Sequence, residues 1–272
     1  MEFSRRVCLF LAGLLGPLAI ASTSSAFKLV KSESAQGQVV GYLAYEGSLS
    51  KELEENSLAP RGSVSMTASG DLRSQGIRVI LHAATGSMGS FDDSTEPTLA
   101  SVKQSISLAL KLAERTQIKR VAVPLIGGGI FLNRLGITRE KLAEEIISAA
   151  QESNADIEVI FVAYSDVETK EFRDQYQILQ AQAEESNMIR KSWDFLLRLV
   201  NLKASPFFQR SRVVQGSIVD FKVHGASAIV NAANMELQFG GGLSGVIGQA
   251  TGQAQAIDEL NADLIQKLHQ AK

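Results

Sequence analysis

The chain has 272 residues, of which 45 % are hydrophobic and 21 % charged, with a formal net charge of −2. That composition supplies apolar material for one large domain or two small ones and excludes disordered and collagen-like classes. A charge so close to zero leaves no electrostatic footprint for nucleic acid, so no nucleic-acid partner is expected; a local pocket for a small polyanion is still compatible with it.

The first 26 residues differ from the rest. "MEFSRR" carries two arginines, "VCLFLAGLLGPLAIA" is an uncharged apolar run, and "STSSA" is rich in small residues. This is the order of a secretory signal: basic, apolar, small. The run is shorter than the roughly 20 residues of a bilayer span and contains Pro17. A cleaved export signal over residues 1–26 is therefore expected, with no membrane span afterwards and a periplasmic or secreted product. Ala19-x-Ala21 and Ser24-x-Ala26 both fit a cleavage site. "SRRVCL" also resembles a twin-arginine signal, although Cys8 stands where Phe is usual, so the export route stays open. Cys8 is the single cysteine. The mature chain then has no disulfide, thiol nucleophile or thiolate metal site. His82, His224 and His269 are scattered, and no metal site or cofactor is expected.

Residues 27–58 are weakly patterned, with a strand expected in "VVGYLAY" (39–45) and a helix in "KELEEN" (51–56). After Pro60 and Gly62, "SVSMTAS" (63–69) alternates as a strand does, and "GIRVILHAA" (76–84) reads as a buried one. Residues 99–116 place Leu99, Val102, Ile106, Leu110 and Ala113 at helical spacing. "RVAVPLI" (120–126) is a strand running into Gly127-Gly128-Gly129. A helix (139–153), a strand (156–164) and a further helix follow. Residues 186–210, with the single Trp193 and Pro206, interrupt the alternation and read as a packing connector. "RVVQGSIV" and "GASAIVNAAN" are two more strands; "LSGVIGQATG" and "AQAIDELNADLIQKLHQAK" are helical. Strands alternating with helices imply an α/β fold with layers around a largely buried sheet, and ligands in such sheets sit at the carboxyl ends of strands.

Both glycine triplets follow strands. Gly240, Gly242 and Gly245 match GxGxxG, but a dinucleotide fingerprint needs the strand directly before it and an acidic residue about 20 positions on. Here residues 231–239 intervene and the following region is helical. A Walker A loop fails as well, for want of Gly-Lys-Ser/Thr. A lone triplet is most simply a tight turn. Two at strand ends fit paired backbone N–H nests, which bind anions and would suit a diphosphate.

"SAIVNAANMELQFGGGLSGVIGQATG" (227–252) resembles the first half of a macrodomain, the ADP-ribose-binding family. "APRGSVSMTASGDLRSQGIRVILHAATG" (59–86), "SVKQSISLALKLAERTQIKRVAVPLIGGGIF" (101–131) and "IEVIFVAYSDVETKEF" (157–172) resemble its later blocks. The second half thus precedes the first. The resemblance, over about 180 residues, implies a three-layer α/β/α mixed sheet in circularly permuted order. Residues 27–58 are then an N-terminal extension, 59–178 the second half, 179–210 a connector and 211–272 the first half. The rival is a pair of incomplete domains, each with an unpaired sheet edge.

By resemblance, Gly240, Gly241, Gly242 and Leu243 form one phosphate loop, and Gly127, Gly128, Gly129 and Ile130 the opposite one. Phe131 packs on the distal ribose, Tyr164 stacks on adenine, and Ser217, Ile218 and Ala232 line the ligand. Asn234 fixes the distal ribose and is the one candidate catalytic residue. Asn231 is read as a brace and His82 as structural. Three departures stand out. Ser217 replaces the family's Asp that accepts from the adenine amino group. Ser244, to which no catalytic role is given, stands where hydrolytic members of one branch carry Asp. Phe239 replaces the His of an HGGG-type branch that hydrolyses through a water activated by the substrate's phosphate. The implied partner is ADP-ribose or an ADP-ribosylated protein, bound by a monomer. Hydrolysis of mono-ADP-ribose from proteins or related esters is possible on this pattern; a binding-only module and a degenerate structural domain are the alternatives.

Overall fold

A computed structural model describes residues 28–33, 40–46, 49–87, 95–197 and 207–271. The candidate signal, residues 1–26, lies outside them, as does the side chain of Trp193. One eight-stranded sheet organises the molecule, in the order β1-β2-β3-β4-β8-β5-β6-β7. The strands are β1 (Lys28–Glu33), β2 (Val40–Tyr45), β3 (Val64–Ala68), β4 (Val79–Gly86), β5 (Arg120–Pro124), β6 (Glu158–Ala163), β7 (Arg212–Gln215) and β8 (Ala228–Asn234). The first three pairings are antiparallel. The remaining four, β4–β8, β8–β5, β5–β6 and β6–β7, are parallel. The strand ending at Asn234 thus sits between strands from the first half of the chain, in register Ile80↔Ile229 with β4 and Ala122↔Ile229 with β5.

The sheet separates two apolar layers with the period of two that a pleated strand imposes. Val121 and Val123, Val159 and Phe161, and Ala228 and Val230 belong to the larger cluster. Ala122, Ile160 and Ile229 belong to the other. The larger cluster is covered by α2 (Leu99–Arg115), α4 (Arg139–Glu152) and the start of α5 (Asp166–Leu197). Against the opposite face lie α8 (Gly242–Thr251) and α9 (Ala254–Gln270), which share contacts with β8 and with β1–β3 respectively. The short helices α1 (Lys51–Glu55), α3 (Leu132–Leu135), α6 (Phe207–Arg210) and α7 (Phe221–His224) join these pieces. Helices on both faces of a mixed sheet make the three-layer α/β/α arrangement.

Local chemistry explains the element ends. Thr98 and Ser101 form a reciprocal capping box that starts α2, and Thr138 accepts from the Lys141 N–H to start α4. The apolar seam read from the sequence of α2 is wider in the fold: Ser105, Leu108, Ala109 and Leu112 are buried beside Val102, Ile106, Leu110 and Ala113. β3 forms where the alternation of residues 63–69 places a strand. Its residues alternate between polar and apolar, yet all five are buried. The polar face is covered too, and its hydroxyls find partners: Ser65 donates to Asn261 and Thr67 bonds His82. The segment read as a connector begins as helix, since α5 runs on to Leu197.

Candidate functional site and family

Because β4, β8, β5, β6 and β7 are mutually parallel, their carboxyl ends share one edge of the sheet. That edge carries Asn234 at the end of β8, the 127–131 loop after β5, Tyr164 after β6 and Ser217–Ile218 after β7. The fold therefore brings together segments separated by up to 107 positions in the chain, from Gly127 to Asn234.

The loop from Asn234 to the first glycine triplet is tightly tied. The Leu237 N–H donates to the Asn234 carbonyl at 3.1 Å, and the Gln238 N–H donates to Asn234 Oδ1 at 3.1 Å. This turn occupies the oxygen of the Asn234 side chain and leaves its Nδ2 as the group's remaining donor. Gly241 caps α8 without any side-chain bond, so the first-turn N–H groups of Gly242, Leu243 and Ser244 have no capping acceptor. Such a helix end favours an anion. A Cβ placed on Gly240, Gly241 or Gly242 would meet nothing within 4 Å, so the triplet borders open space. Gly242 adopts φ +58°, a conformation that a side chain would strain.

The second triplet is similar in character. Gly127 has φ +85°, and a Cβ on Gly129 would again meet nothing. Among the described residues, the N–H groups of Gly129, Ile130 and Phe131 have no hydrogen-bond acceptor. Gly128 is a packing glycine, since a Cβ there would press on Leu125 at 2.7 Å. Ile130 is 64 % exposed and Tyr164 78 % exposed, high values for large apolar groups. Phe131 and Ala232 are half-buried. Ile218 is buried, and Ser217 half-buried beside it.

Each histidine is engaged internally. His82 is fully buried between Thr67 Oγ1, 2.8 Å from Nε2, and Asn231 Nδ2, 3.3 Å from Nδ1. Burial pushes its pKa down to about 3, so the ring is neutral, with Nδ1 accepting and Nε2–H donating. Asn231 Nδ2 also donates to Ser244 Oγ at 3.1 Å, so Asn231 ties the sheet to the first turn of α8. Ser244 is thereby committed to a structural bond and buried. His224 lies 2.9 Å from the Ile218 carbonyl through Nε2 and accepts the Ala226 N–H on Nδ1, which holds the Ser217–Ile218 segment; burial lowers its pKa. His269 meets the Leu58 carbonyl at 2.9 Å. Among the described residues no group of three His, Cys, Asp or Glu could hold a metal ion.

Three features of the site escape sequence reading. The Phe239 ring turns inward, 5.3 Å from the His82 ring and against Gly248. Asp258 accepts the Phe239 N–H at 2.9 Å, and Asn261 donates to the Leu237 carbonyl at 2.8 Å. A polar residue three places from another on a helix was legible as a shared face; what it faces was not. Two concave spaces, of about 240 Å³ beside Pro60, Arg61 and Thr98 and about 580 Å³ beside Lys119, Asp156 and Arg210, lie elsewhere and involve none of the glycine loops.

Residues 43–141 match the family model described as Macro domain. The match spans β2 to the start of α4, including the second glycine triplet. No curated protein and no solved structure matches the chain. A three-layer fold, a glycine loop at the carboxyl edge of its sheet and a direct match over the segment that carries this loop lead to one conclusion: residues 43–141 of this chain are similar to the Macro domain family.

Proposed function

We propose that this protein binds ADP-ribose at the carboxyl edge of the sheet, its diphosphate lying between the two glycine loops. The observation that carries the reading is the pair of N–H sets without an acceptor among the described residues, at 242–244 and 129–131, beside glycines that border open space and following the parallel neighbouring strands β8 and β5. Backbone N–H groups and a helix N-terminus recognise a diphosphate without a lysine or a metal. Asn234 Nδ2 meets the distal ribose, Phe131 supports that ribose, and exposed Tyr164 stacks on the base, with Ser217 and Ile218 beside it. The family match supports the ligand class.

Circular permutation is part of the proposal. It is supported by the single sheet, in which β8 from the end of the chain lies between β4 and β5. A monomer and export through residues 1–26 belong to the same reading, the latter on sequence alone. Removal of ADP-ribose from modified proteins is the enzymatic version. It relies on Asn234 to orient the ribose and on the ligand's own phosphate to activate water. A binding module without turnover is the second reading: Ser244, which stands where hydrolytic members of one branch carry Asp, offers no carboxylate, and its Oγ accepts from Asn231. Calorimetric titration with ADP-ribose tests the shared claim, and absence of heat and of any melting shift at millimolar ligand would refute it. Release of ADP-ribose from a mono-ADP-ribosylated acidic side chain then separates enzyme from binder.

A further inference from the structure

We propose that Asp258 and Asn261, on the inner face of α9, are positioning residues that set the ligand-facing geometry of Asn234 and the 240–242 glycines. For its ligand this inference rests on the ADP-ribose reading above. The loop between β8 and α8 has an awkward backbone. Leu237 adopts φ +56° although it is not glycine, and its side chain is fully buried. A leucine in the left-handed region persists only where its surroundings over-determine it.

Those surroundings come from both sides. On the sheet side, the Leu237 and Gln238 N–H groups close on the carbonyl and Oδ1 of Asn234. On the helix side, Asn261 Nδ2 donates to the Leu237 carbonyl at 2.8 Å, and Asp258 Oδ1 accepts the Phe239 N–H at 2.9 Å. Asn261 is fully buried and its own Oδ1 accepts from Ser65 Oγ at 2.6 Å, so turning the amide over would set its oxygen against the Leu237 carbonyl and lose that bond. Asp258 and Asn261 are three residues apart, hence on one helix face. They grip the loop two residues apart, at 237 and 239, immediately before the glycine triplet.

The arrangement makes Asn234 a dependent group. Its Oδ1 is spent on Gln238, so the direction of Nδ2 follows from where the 237–239 backbone is held. Neither Asp258 nor Asn261 needs to touch the ligand. Loss of either grip lets Leu237 relax out of its left-handed state, and Asn234 and the glycines then lose their preset orientation. A preorganised loop binds more tightly because the ordering is already done before the ligand arrives.

The test uses the purified chain with ADP-ribose in calorimetry, together with amide hydrogen exchange. Asp258→Ala and Asn261→Ala are expected to weaken binding about tenfold, the effect of one well-placed hydrogen bond to a charged or preorganised group. Asp258→Asn keeps an acceptor for the Phe239 N–H and should return affinity to within about threefold of the parent. Leu264→Ala trims a fully buried side chain of the same helix, away from the loop. It should lower the melting temperature while leaving Kd within about twofold, since separate sites act additively. Exchange at residues 237–242 should accelerate in Asp258→Ala and Asn261→Ala and not in Leu264→Ala. If Leu264→Ala weakens binding as much as the two loop variants do, or if the loop variants bind as the parent does, the positioning role is refuted. If the parent binds no ADP-ribose, the functional reading falls; the exchange measurement still decides whether α9 holds the loop, and unchanged exchange would overturn that.

Discussion

Two side chains show how differently the same kind of atom is employed at residue scale. Asn231 and Asn234 sit on one strand, three residues apart, and point to different duties. Asn231 is fully buried and spends Nδ2 on His82 and Ser244. Asn234, at the strand end, gives its Oδ1 to the turn, and in the proposed function its Nδ2 is the donor to the ligand. Asn234→Asp preserves the turn acceptor but removes the donor; it should weaken ADP-ribose binding roughly ten- to a hundredfold with little change in melting temperature, measured by calorimetry and thermal unfolding. Ser244→Ala should cost about 1 kcal/mol of stability and leave ligand contacts nearly intact. His82 makes a pH prediction. Its pKa is about 3 when folded, against about 6.5 in the unfolded chain. Between those values the unfolded state binds a proton that the folded state does not. The stabilisation is therefore complete above pH 6.5 and is lost as pH falls from there toward 3, at up to roughly 1.4 kcal/mol per pH unit. Urea midpoints measured across that range should fall less steeply with acid in His82→Gln. Equal slopes in the two proteins would show that another group carries the acid sensitivity.

Among the elements, helix ends and strand edges were the readable parts. The apolar spacing of α2 and the buried runs of β4 and β5 stand in the linear sequence, because burial on one helical stripe or on both faces of a strand demands them. The cap of α2 was not singled out, yet Thr98 and Ser101 bond reciprocally across its first turn. Thr98→Ala is expected to lower stability by about 1 kcal/mol, visible as a shift of the denaturation midpoint, without a change in ligand affinity. β3 was legible as a strand from its alternation, but its burial on both faces was not. Its serine and threonine are polar, and nothing local distinguishes a hydroxyl facing water from one facing Asn261 or His82. The same reason hid α9's part in the site. Asp258 and Asn261 look like ordinary solvent-side residues of an amphipathic helix. Burial raises the pKa of Asp258, opposed by the N–H bond it accepts from Phe239.

For the whole molecule, the decisive fact is that β8 enters the sheet between β4 and β5. The two ends of the chain then depend on each other for their central hydrogen bonds. A protease site engineered into residues 198–206 and cut should leave two fragments that co-purify under native conditions and part only in denaturant. Fragments that separate freely after cutting would mean that each half holds itself together. The sequence by itself determined the alternation of strands and helices, the two glycine loops, the macrodomain likeness and the place of Asn234 at a strand end, because periodicity and short motifs are local and survive any reordering of the chain. Tertiary structure alone decided which strand lies beside which, that β3 is covered on both faces, that Phe239 turns in upon His82, and that α9 holds the loop before the glycines. Those outcomes depend on contacts between residues far apart in sequence, and the free energy of such a contact is set by the surface and partners on the other side, which no local pattern carries.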